Sequence, residues 1–265
     1  MKNIDLIEAK KIETQILIFI DTFCKENGIK YWLGYGTMLG AVRHKGFIPW
    51  DDDIDIIMLR DDYERFIKMF NDDKGIYKLH CLENNTEYKN PFAKVEDSRT
   101  ICKEGVNSFD IGLYIDVFPI DNMGNTLEDS KNIVRKMLFY QKIFNIKLLK
   151  HTKKNDFFSN FCLYMAKIIL SPISMRYTAE IVSKKCRNAG IENSKYIGCM
   201  VWGYGYNEIL ERGIIDNTEK YEFEKGYFPG FKDYDYYLSV HYGSYMKLPP
   251  MNERRPHPRV ATYWK

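Results

Sequence analysis

The sequence predicts an α+β (mixed α/β) fold, with a core sheet, a helical insertion and an irregular C-terminal tail. Short apolar or alternating runs within residues 31–121 have the length and pattern of β-strands. Longer segments on both sides of this region repeat apolar residues at helical spacing. Of the 265 residues, 45% are hydrophobic and 28% are charged, so the chain can bury a full core.

The chain has no repeat, low-complexity tract or clear linker, so we expect one domain over residues 1–265. Within it we expect a core sheet region at about 25–122 and a helical region at about 127–190. A C-terminal segment at about 196–265 would complete the domain on the substrate side.

Charge and cysteine content argue against several classes of protein. The formal net charge is only +3, which argues against a nucleic-acid partner. The six cysteines are scattered without a Cys-x-x-Cys pair, so we predict reduced, mostly buried thiols. Glu8 and Glu13 interrupt what would be the apolar part of a signal peptide. We therefore expect a cytoplasmic protein.

The chain is predicted to begin with a helix and a short strand. Residues 3–24 place apolar side chains along one helical stripe, which Gly28 ends. Residues 31–33 (Tyr-Trp-Leu) then have the apolar character of a buried strand.

A glycine turn is predicted at 34–37, followed by a brief helix at 38–43. Free backbone amides and the helix dipole attract phosphate at such a helix start. Gly36 and the Thr37 hydroxyl are therefore candidate phosphate ligands, although a plain turn would have the same glycine pattern.

An acidic strand begins at residue 53. Asp53 and Asp55 alternate with isoleucines, and residues two apart in a strand project from the same face. Two carboxylates side by side repel each other unless a cation or a proton lies between them, and Mg²⁺ or Mn²⁺ is the natural cation for oxygen ligands. The alternative is a solvated acidic turn, since Asp51 and Asp52 precede the pair.

Two cations are candidates for the same anionic ligand. Arg43 lies between the glycine turn and the acidic strand, and a guanidinium binds phosphate through two donors. Lys94 alternates with small apolar residues in a strand at 91–95, where it is either a residue at the edge of the sheet or a phosphate ligand.

The strand at 111–121 contains one charged residue in its apolar interior, Asp116. A lone carboxylate enters such a strand at a cost, so we expect Asp116 to be the third metal ligand and the acceptor of a proton from an attacking hydroxyl. Asp121, which follows Pro119, is predicted to cap a turn.

One apolar helix is open to two interpretations. Residues 157–170 are too few to span a bilayer, so they predict either a buried helix or an interfacial helix on an anionic membrane. A basic run before it, formed by Lys147, Lys150, His151, Lys153 and Lys154, favours the second interpretation. The other predicted elements are a strand at 77–82 and helices at 61–70, 127–149, 177–187 and 233–241.

Two later segments are candidate ligand contacts. Residues 196–206 contain Trp202 among glycines and could present an aromatic face to a sugar or a choline-like cation, although ordinary packing also fits. The basic tail could fold over the phosphates of a donor or be a solvated terminus. It carries Arg254, Arg255, His257 and Arg259.

Four motifs together resemble the LicD family of phosphotransferases, whose relatives include the fukutin-related proteins. They are GTMLGAVRH at 36–44, FIPWDDDID at 47–55, DVFPID at 116–121, and YGSYMKLPP at 242–250, the last followed by Arg254 and His257. The tryptophan and acid string is specific, and the resemblance spans most of the chain. One departure is Ser244, where the family often has an acid.

The resemblance implies a nucleotidyltransferase-like core and the transfer of a phosphoryl-alcohol group to a sugar hydroxyl. The typical reaction moves phosphocholine from CDP-choline to a cell-surface glycan or its lipid-linked precursor, such as lipopolysaccharide or teichoic acid. Asp53, Asp55 and Asp116 would be both metal ligands and catalytic residues. Gly36, Thr37, Arg43 and Lys94 would bind the CDP-alcohol donor. We also expect peripheral contact with the inner face of the cell membrane.

Two alternatives share this fold. The first is a nucleotidyltransferase that moves the nucleotide itself onto the acceptor. The second is a glycan-binding module without catalysis, since a fold does not fix a function.

Overall fold

The computed structural model describes residues 2–70, 75–102, 109–149, 156–254 and 261–265. In these ranges the chain forms seven α-helices and ten β-strands, which confirms the predicted α+β class. The helices are α1 (Leu6–Asn27), α2 (Tyr35–His44), α3 (Arg60–Met69), α4 (Leu127–Leu148), α5 (Phe157–Ile169), α6 (Met175–Arg187) and α7 (Tyr234–Tyr242). The strands are β1 (Trp32–Leu33), β2 (Asp55–Leu59), β3 (Tyr77–His80), β4 (Ala93–Cys102), β5 (Ile111–Asn122), β6 (Tyr196–Gly198), β7 (Leu210–Glu211), β8 (Thr218–Phe223), β9 (Gly226–Phe231) and β10 (Thr262–Trp264).

Eight of the described strands form one mixed sheet. Its central path runs β1-β2-β5-β4, and β3 and β10 pair with different parts of the far side of β4. Strand β6 pairs with the C-terminal end of β5 and with β7. Only β2 and β5 are paired in parallel, and the other named pairs are antiparallel. Strands β8 and β9 form a separate hairpin.

Helix α1 covers one part of the sheet and has clear start and stop signals. The Asp5 carboxylate accepts a hydrogen bond from the Glu8 amide (2.8 Å), which satisfies a free donor at the helix start. Gly28 adopts a left-handed conformation (φ 61°) and ends the helix. The buried side chains of Ile16 and Ile20 belong to the main hydrophobic core. The predicted helix and its stop residue are thus confirmed.

The prediction that Asp121 caps a turn is wrong. Asp121 belongs to β5 and is only 1% exposed. Its two carboxylate oxygens accept hydrogen bonds from Nε (2.6 Å) and Nη2 (2.7 Å) of Arg60, the first residue of α3. Pro119 does not end the strand, because proline is tolerated where a ladder needs no donor, and the pairing with β2 continues to Ile120.

The C-terminal tail ends in a regular element, the strand β10. Strand β10 pairs antiparallel with β4, and the Trp264 indole N–H donates to a carboxylate oxygen of Glu8 (3.0 Å). Arg255, His257 and Arg259 lie outside the described residues, so the prediction for their role is not tested. Arg254 is described, and its guanidinium lies 5.4 Å from the centre of the Trp50 ring.

The helical insertion consists of α4, α5 and α6, as predicted. The interpretation of 157–170 as a buried helix is wrong, because Leu163 is the one buried residue of α5. Most of its other large apolar side chains are exposed, Phe157 by 88% and Ile169 by 73%. Of the basic run before it, Lys147 is described, and the part at 150–154 lies outside the described residues. None of the described helices has the length and hydropathy that crossing a membrane would require.

Five of the six cysteines are buried, as predicted, and Cys162 is exposed. Burial raises the pKa of Cys24 and of Cys81 to about 12, so both remain protonated and unreactive at neutral pH. Their role is to fill space in the core.

Candidate active site

Three charged residues lie side by side across the middle of the sheet. Asp55 opens β2 and lies opposite Asp116 on the parallel neighbour β5. On the other side of β5, Lys94 of β4 lies opposite the same Asp116, and its Nζ is 2.9 Å from Asp116 Oδ1. Residues opposite each other on adjacent strands project from the same face of a sheet. The strand register therefore brings together two acids and a lysine that are far apart in the sequence.

The first turn of α2 holds Asp55 in this position. The Asp55 amide donates to Thr37 Oγ1 (2.8 Å), and the Asp55 carbonyl accepts from the Gly34 amide (2.9 Å). Both backbone polar groups of Asp55 are therefore satisfied by α2 and the residue before it. This fixes the start of β2 against the helix.

The predicted boundary between glycine turn and helix is wrong. Helix α2 begins at Tyr35, so Gly36 and Thr37 lie inside its first turn rather than in a loop before it. Tyr35 starts the helix with a positive φ of 41°, and its amide donates to the buried Tyr237 hydroxyl (2.9 Å). A hydroxyl contributed from 202 positions away therefore satisfies the first amide of the helix.

The surroundings of Gly36 leave no room for a side chain. A Cβ atom built at this position would lie 2.8 Å from a carboxylate oxygen of Asp51, closer than real Cβ contacts. The absence of a side chain therefore allows Asp51 to approach α2. Asp51 was not among the predicted site residues, although it stands in the specific WDDDID string.

Burial and mutual repulsion dominate the electrostatics of the acids. Burial, followed by the charges of Asp51 and Asp116, raises the pKa of Asp53 to about 8. Burial and then the Asp53 and Asp116 charges raise the pKa of Asp55 far above its usual range. Lys94 acts in the opposite direction on Asp55, but it is one cation facing several acids. The group therefore has excess negative charge.

The acids fit a divalent cation by their chemistry and charge. Carboxylate oxygens are the ligands that Mg²⁺ and Mn²⁺ take in proteins, and a cation would relieve the repulsion that raises both pKa values. Within the described ranges, no three acidic, histidine or cysteine side chains are already gathered closely enough to hold one ion. Asp116 is turned to Lys94 at 2.9 Å, so it would have to share its carboxylate between Lys94 and an ion.

Of the two interpretations of Lys94, its place at the edge of the sheet is wrong, and its role as a phosphate ligand stays a prediction. Strand β4 has neighbours on both sides, and Lys94 is only 4% exposed, so it is not a residue at the sheet edge. Its ammonium is paired with Asp116 and lies 3.3 Å from the centre of the Tyr114 ring. Its present partners are thus a carboxylate and an aromatic face.

Arg43 faces the same region from the end of α2. Its Nη1 donates to the Tyr245 carbonyl (2.5 Å), which orients the guanidinium. Burial and the nearby Arg254 charge lower the pKa of Arg43, because both disfavour the charged form of its guanidinium. An anionic ligand would offset this repulsion.

One cavity of about 380 Å³ brings together Asp53, Asp55 and Arg43, whereas Asp116 and Lys94 are not among the residues that line it. Its wall contains Asp51, Asp53 and Asp55, together with Gly36 and Arg43. None of the other wall residues was a predicted site residue, although all except Tyr204 stand in the motifs at 36–44, 47–55 and 242–250. The other wall residues are Leu39, Ile48, Trp50, Tyr204, Tyr242, Ser244, Tyr245, Lys247 and Pro249. The aromatic signal of 196–206 pointed to this region, but the lining residue is Tyr204 rather than Trp202.

A buried carboxylate supports the aromatic wall. Glu208, which is 2% exposed, accepts hydrogen bonds from the Tyr35 hydroxyl (3.1 Å) and the Tyr204 amide (2.9 Å). The Nε2 atom of buried His241 lies 3.5 Å from the same carboxylate. Glu208 therefore links the start of α2, the loop of Tyr204 and helix α7 behind the cavity.

Gly203→Ala is expected to lower the free energy of unfolding by about 2 kcal/mol and to weaken ligand binding in the cavity. Gly203 has a φ of 120°, and an added Cβ would lie 2.1 Å from Glu208 Oε1. The displaced carboxylate would lose its bond to the Tyr204 amide. Urea unfolding measures the effect on stability. Gly213→Ala is the matched control, since the nearest atom to its added Cβ is 3.7 Å away, and equal losses in the two variants would contradict the prediction.

Comparison with known proteins places the chain in a family. The family model described as LicD/FKTN/FKRP, nucleotidyltransferase domain, matches residues 28–161. The chain is 31% identical to the lipopolysaccharide cholinephosphotransferase LicD of Haemophilus influenzae, over 97% of each protein. It is 26% identical to the mouse ribitol-5-phosphate transferase FKTN over 123 residues, which cover 46% of this chain and 24% of FKTN.

The matched region contains α2, the acidic strand β2, Lys94 on β4 and Asp116 on β5. The similarity to the Haemophilus protein also extends over the C-terminal wall of the cavity. The resemblance seen in the sequence motifs is thus confirmed, as is the prediction that the chain is an enzyme of this kind. The chain belongs to the LicD/FKTN/FKRP family and contains its nucleotidyltransferase domain.

Proposed function

We propose that this protein is a metal-dependent transferase that moves a phosphoryl-alcohol group from a CDP-alcohol to a sugar hydroxyl. Phosphocholine is the favoured group, and a cell-surface glycan or its lipid-linked precursor is the favoured acceptor. The observation that carries the proposal is one cavity that joins partly buried acids, a guanidinium and an aromatic wall. The names of the relatives, a lipopolysaccharide cholinephosphotransferase and a ribitol-5-phosphate transferase, support the same class of reaction.

Asp53 and Asp55, with Asp116, would hold Mg²⁺ or Mn²⁺. When bound, the ion would offset the negative charge of the donor diphosphate. The Thr37 hydroxyl oxygen accepts from the Asp55 amide and so fixes the Asp55 backbone, while its proton would donate to phosphate. Gly36 contributes by leaving room for Asp51 in the cavity wall.

The protein's own groups would supply orientation and proton transfer. The acceptor oxygen forms a bond to the phosphorus that carries the alcohol, and the bond from this phosphorus to the bridging oxygen breaks, releasing CMP. The Asp116 carboxylate accepts the hydroxyl proton, and Lys94 orients that carboxylate through their 2.9 Å contact. Arg43 offsets the charge that develops on the leaving CMP.

The aromatic wall suits the alcohol part of a choline donor. Trp50, Tyr204, Tyr242 and Tyr245 line the cavity, and aromatic faces attract quaternary ammonium groups. The Asp51 carboxylate in the same wall adds attraction for a cation. A ribitol or glycerol donor would instead use the tyrosine hydroxyls as hydrogen-bond partners.

Thermal unfolding with Mg²⁺ and a set of CDP-alcohols tests the donor. We expect CDP-choline with Mg²⁺ to stabilise the protein more than CDP-ethanolamine, CDP-ribitol, CDP-glycerol or CMP. A ligand at about a hundredfold excess over its Kd adds about 2.7 kcal/mol to the free energy of unfolding. Equal stabilisation by CMP and by every CDP-alcohol would contradict the assignment of the alcohol pocket. Mass spectrometry of the acceptor separates phosphocholine transfer from CMP transfer.

The pH dependence of the same measurement tests the metal. Because Asp53 has a raised pKa in the folded state, the folded protein binds more protons than the unfolded protein between about pH 4 and about pH 8. Without metal, stability therefore falls as the pH rises through this window. Mg²⁺ competes with those protons, so it should stabilise more near about pH 8 than near about pH 5. A Mg²⁺ effect that does not change with pH would contradict ligation by these acids.

A further inference from the structure

Helix α5 exposes a continuous apolar face that nothing in the described part of the protein covers. Phe157, Phe161, Tyr164 and Ile168 lie at helical spacing along it, and all are exposed. Phe158, Cys162, Met165 and Ile169 are exposed beside them. At 100° per residue, these eight side chains fall within an arc of roughly 160°, and no charged residue lies among them.

The polar residues of α5 point elsewhere. Lys167 donates from Nζ to the carbonyl of Leu149 at the end of α4, and Lys147 of α4 donates to the Leu170 carbonyl (2.8 Å) at the end of α5. Ammonium groups thus bind the carbonyl ends of both helices. These contacts and buried Leu163 attach α5 to the body of the protein by the side opposite its apolar face.

The sequence around this face is strongly cationic. Residues 142–176 contain seven lysines and arginines and one acid, Asp156. The whole chain, in contrast, has 39 cationic and 36 acidic residues. The local excess of positive charge therefore distinguishes this part of the sequence from the chain as a whole.

We propose that α5 docks the protein on the surface of an anionic lipid bilayer, with its apolar face inserted among the headgroups. A helix of 13 residues is too short to span a bilayer, but an interfacial helix needs only an apolar face and flanking cations. Anionic lipids attract the cations at 142–176.

A second copy of the chain is a poorer occupant of the same face. Its own segment 142–176 would bring the same positive charge, which repels. A single helix of about 20 Å in length also offers less than the roughly 800 Å² per partner of a stable interface.

Vesicle sedimentation with the purified full chain tests this docking. We expect binding to vesicles of phosphatidylcholine with about a third phosphatidylglycerol, much weaker binding to phosphatidylcholine alone, and loss of binding in high salt. Phe157→Gln with Phe161→Gln should reduce binding about tenfold or more, because both rings lie in the exposed face and would insert.

Tyr227→Gln with Ile191→Gln is the matched control, since both of these side chains are exposed and lie outside α5. This control should bind like the wild type, and circular dichroism should give the same melting temperature for both double variants. The proposal is overturned if the wild type does not bind anionic vesicles or if the Phe157 and Phe161 variant binds equally well. It is also overturned if these two phenylalanines instead mediate dimerisation in sedimentation velocity. Donor and acceptor are absent from the assay, so the result is independent of the proposed reaction.

Discussion

Asp55→Asn is expected to reduce transfer by about a thousandfold or more while leaving the protein at least as stable as the wild type. The carboxylate of Asp55 is proposed to hold the metal, and an amide has neither its charge nor its second anionic oxygen. In the folded protein without metal, burial and the Asp53 and Asp116 charges oppose ionisation of Asp55, so a neutral side chain of the same shape removes a repulsive group. A residue that lowers stability and raises activity is typical of a catalytic site.

The measurement pairs initial rates of transfer with urea unfolding, both in the presence of Mg²⁺ and in its absence. The variant should lose the stabilisation by Mg²⁺ that the wild type shows. Asp61→Asn is the matched control, because Asp61 is an exposed acid in the first turn of α3, and it should leave both rate and stability unchanged. Near-normal turnover of a folded Asp55→Asn variant would remove Asp55 from the mechanism. A variant that loses stability as well as activity would show that Asp55 has a structural role.

The acids of the site could be predicted because each has a local signal. The alternation of Asp53 and Asp55 with isoleucines marks the acids, although β2 begins only at Asp55, so that Asp53 lies just before the strand that the pattern predicts. Asp116 is the one acid inside an apolar strand, which marks it as costly to bury. No local pattern predicts the register between β2 and β5, because a long stretch of chain separates the two strands of this parallel pair.

The rest of the cavity could not be predicted for the same reason. Tyr204 and Tyr242 stand in segments that the sequence marks, but no local pattern shows that they and Glu208 approach α2 from more than 150 positions away. The exposure of helix α5 could not be predicted from its sequence either. Its apolar period is the same for a buried helix and an exposed one, so only its tertiary contacts decide between them.

Arg60→Met is expected to lower the free energy of unfolding by about 3–5 kcal/mol, the largest loss of stability among the variants considered. Arg60 joins the start of α3 to the end of β5 through two hydrogen bonds to Asp121, and both side chains are buried. Removal of the guanidinium would leave the Asp121 carboxylate in the core without a cation. The strands β2 and β5 that carry Asp55 and Asp116 continue directly into this pair, so the loss should also weaken the site.

The double variant Arg60→Met with Asp121→Leu removes both charges of the pair. It therefore shows how far the attraction between the two charges exceeds the cost of burying them. Because two charges leave water to form the pair, two apolar side chains of similar size should restore most of the lost stability. Arg187→Met is the matched single control, since Arg187 of α6 also forms an ion pair, with Glu64 of α3 (2.7 Å), but the side chains of this pair are about two-fifths exposed. It should cost at most about 1 kcal/mol. If urea unfolding gave equal losses for Arg60→Met and Arg187→Met, the Arg60 pair would stabilise the protein no more than a surface contact does, and the sheet would hold Asp55 and Asp116 in register without it.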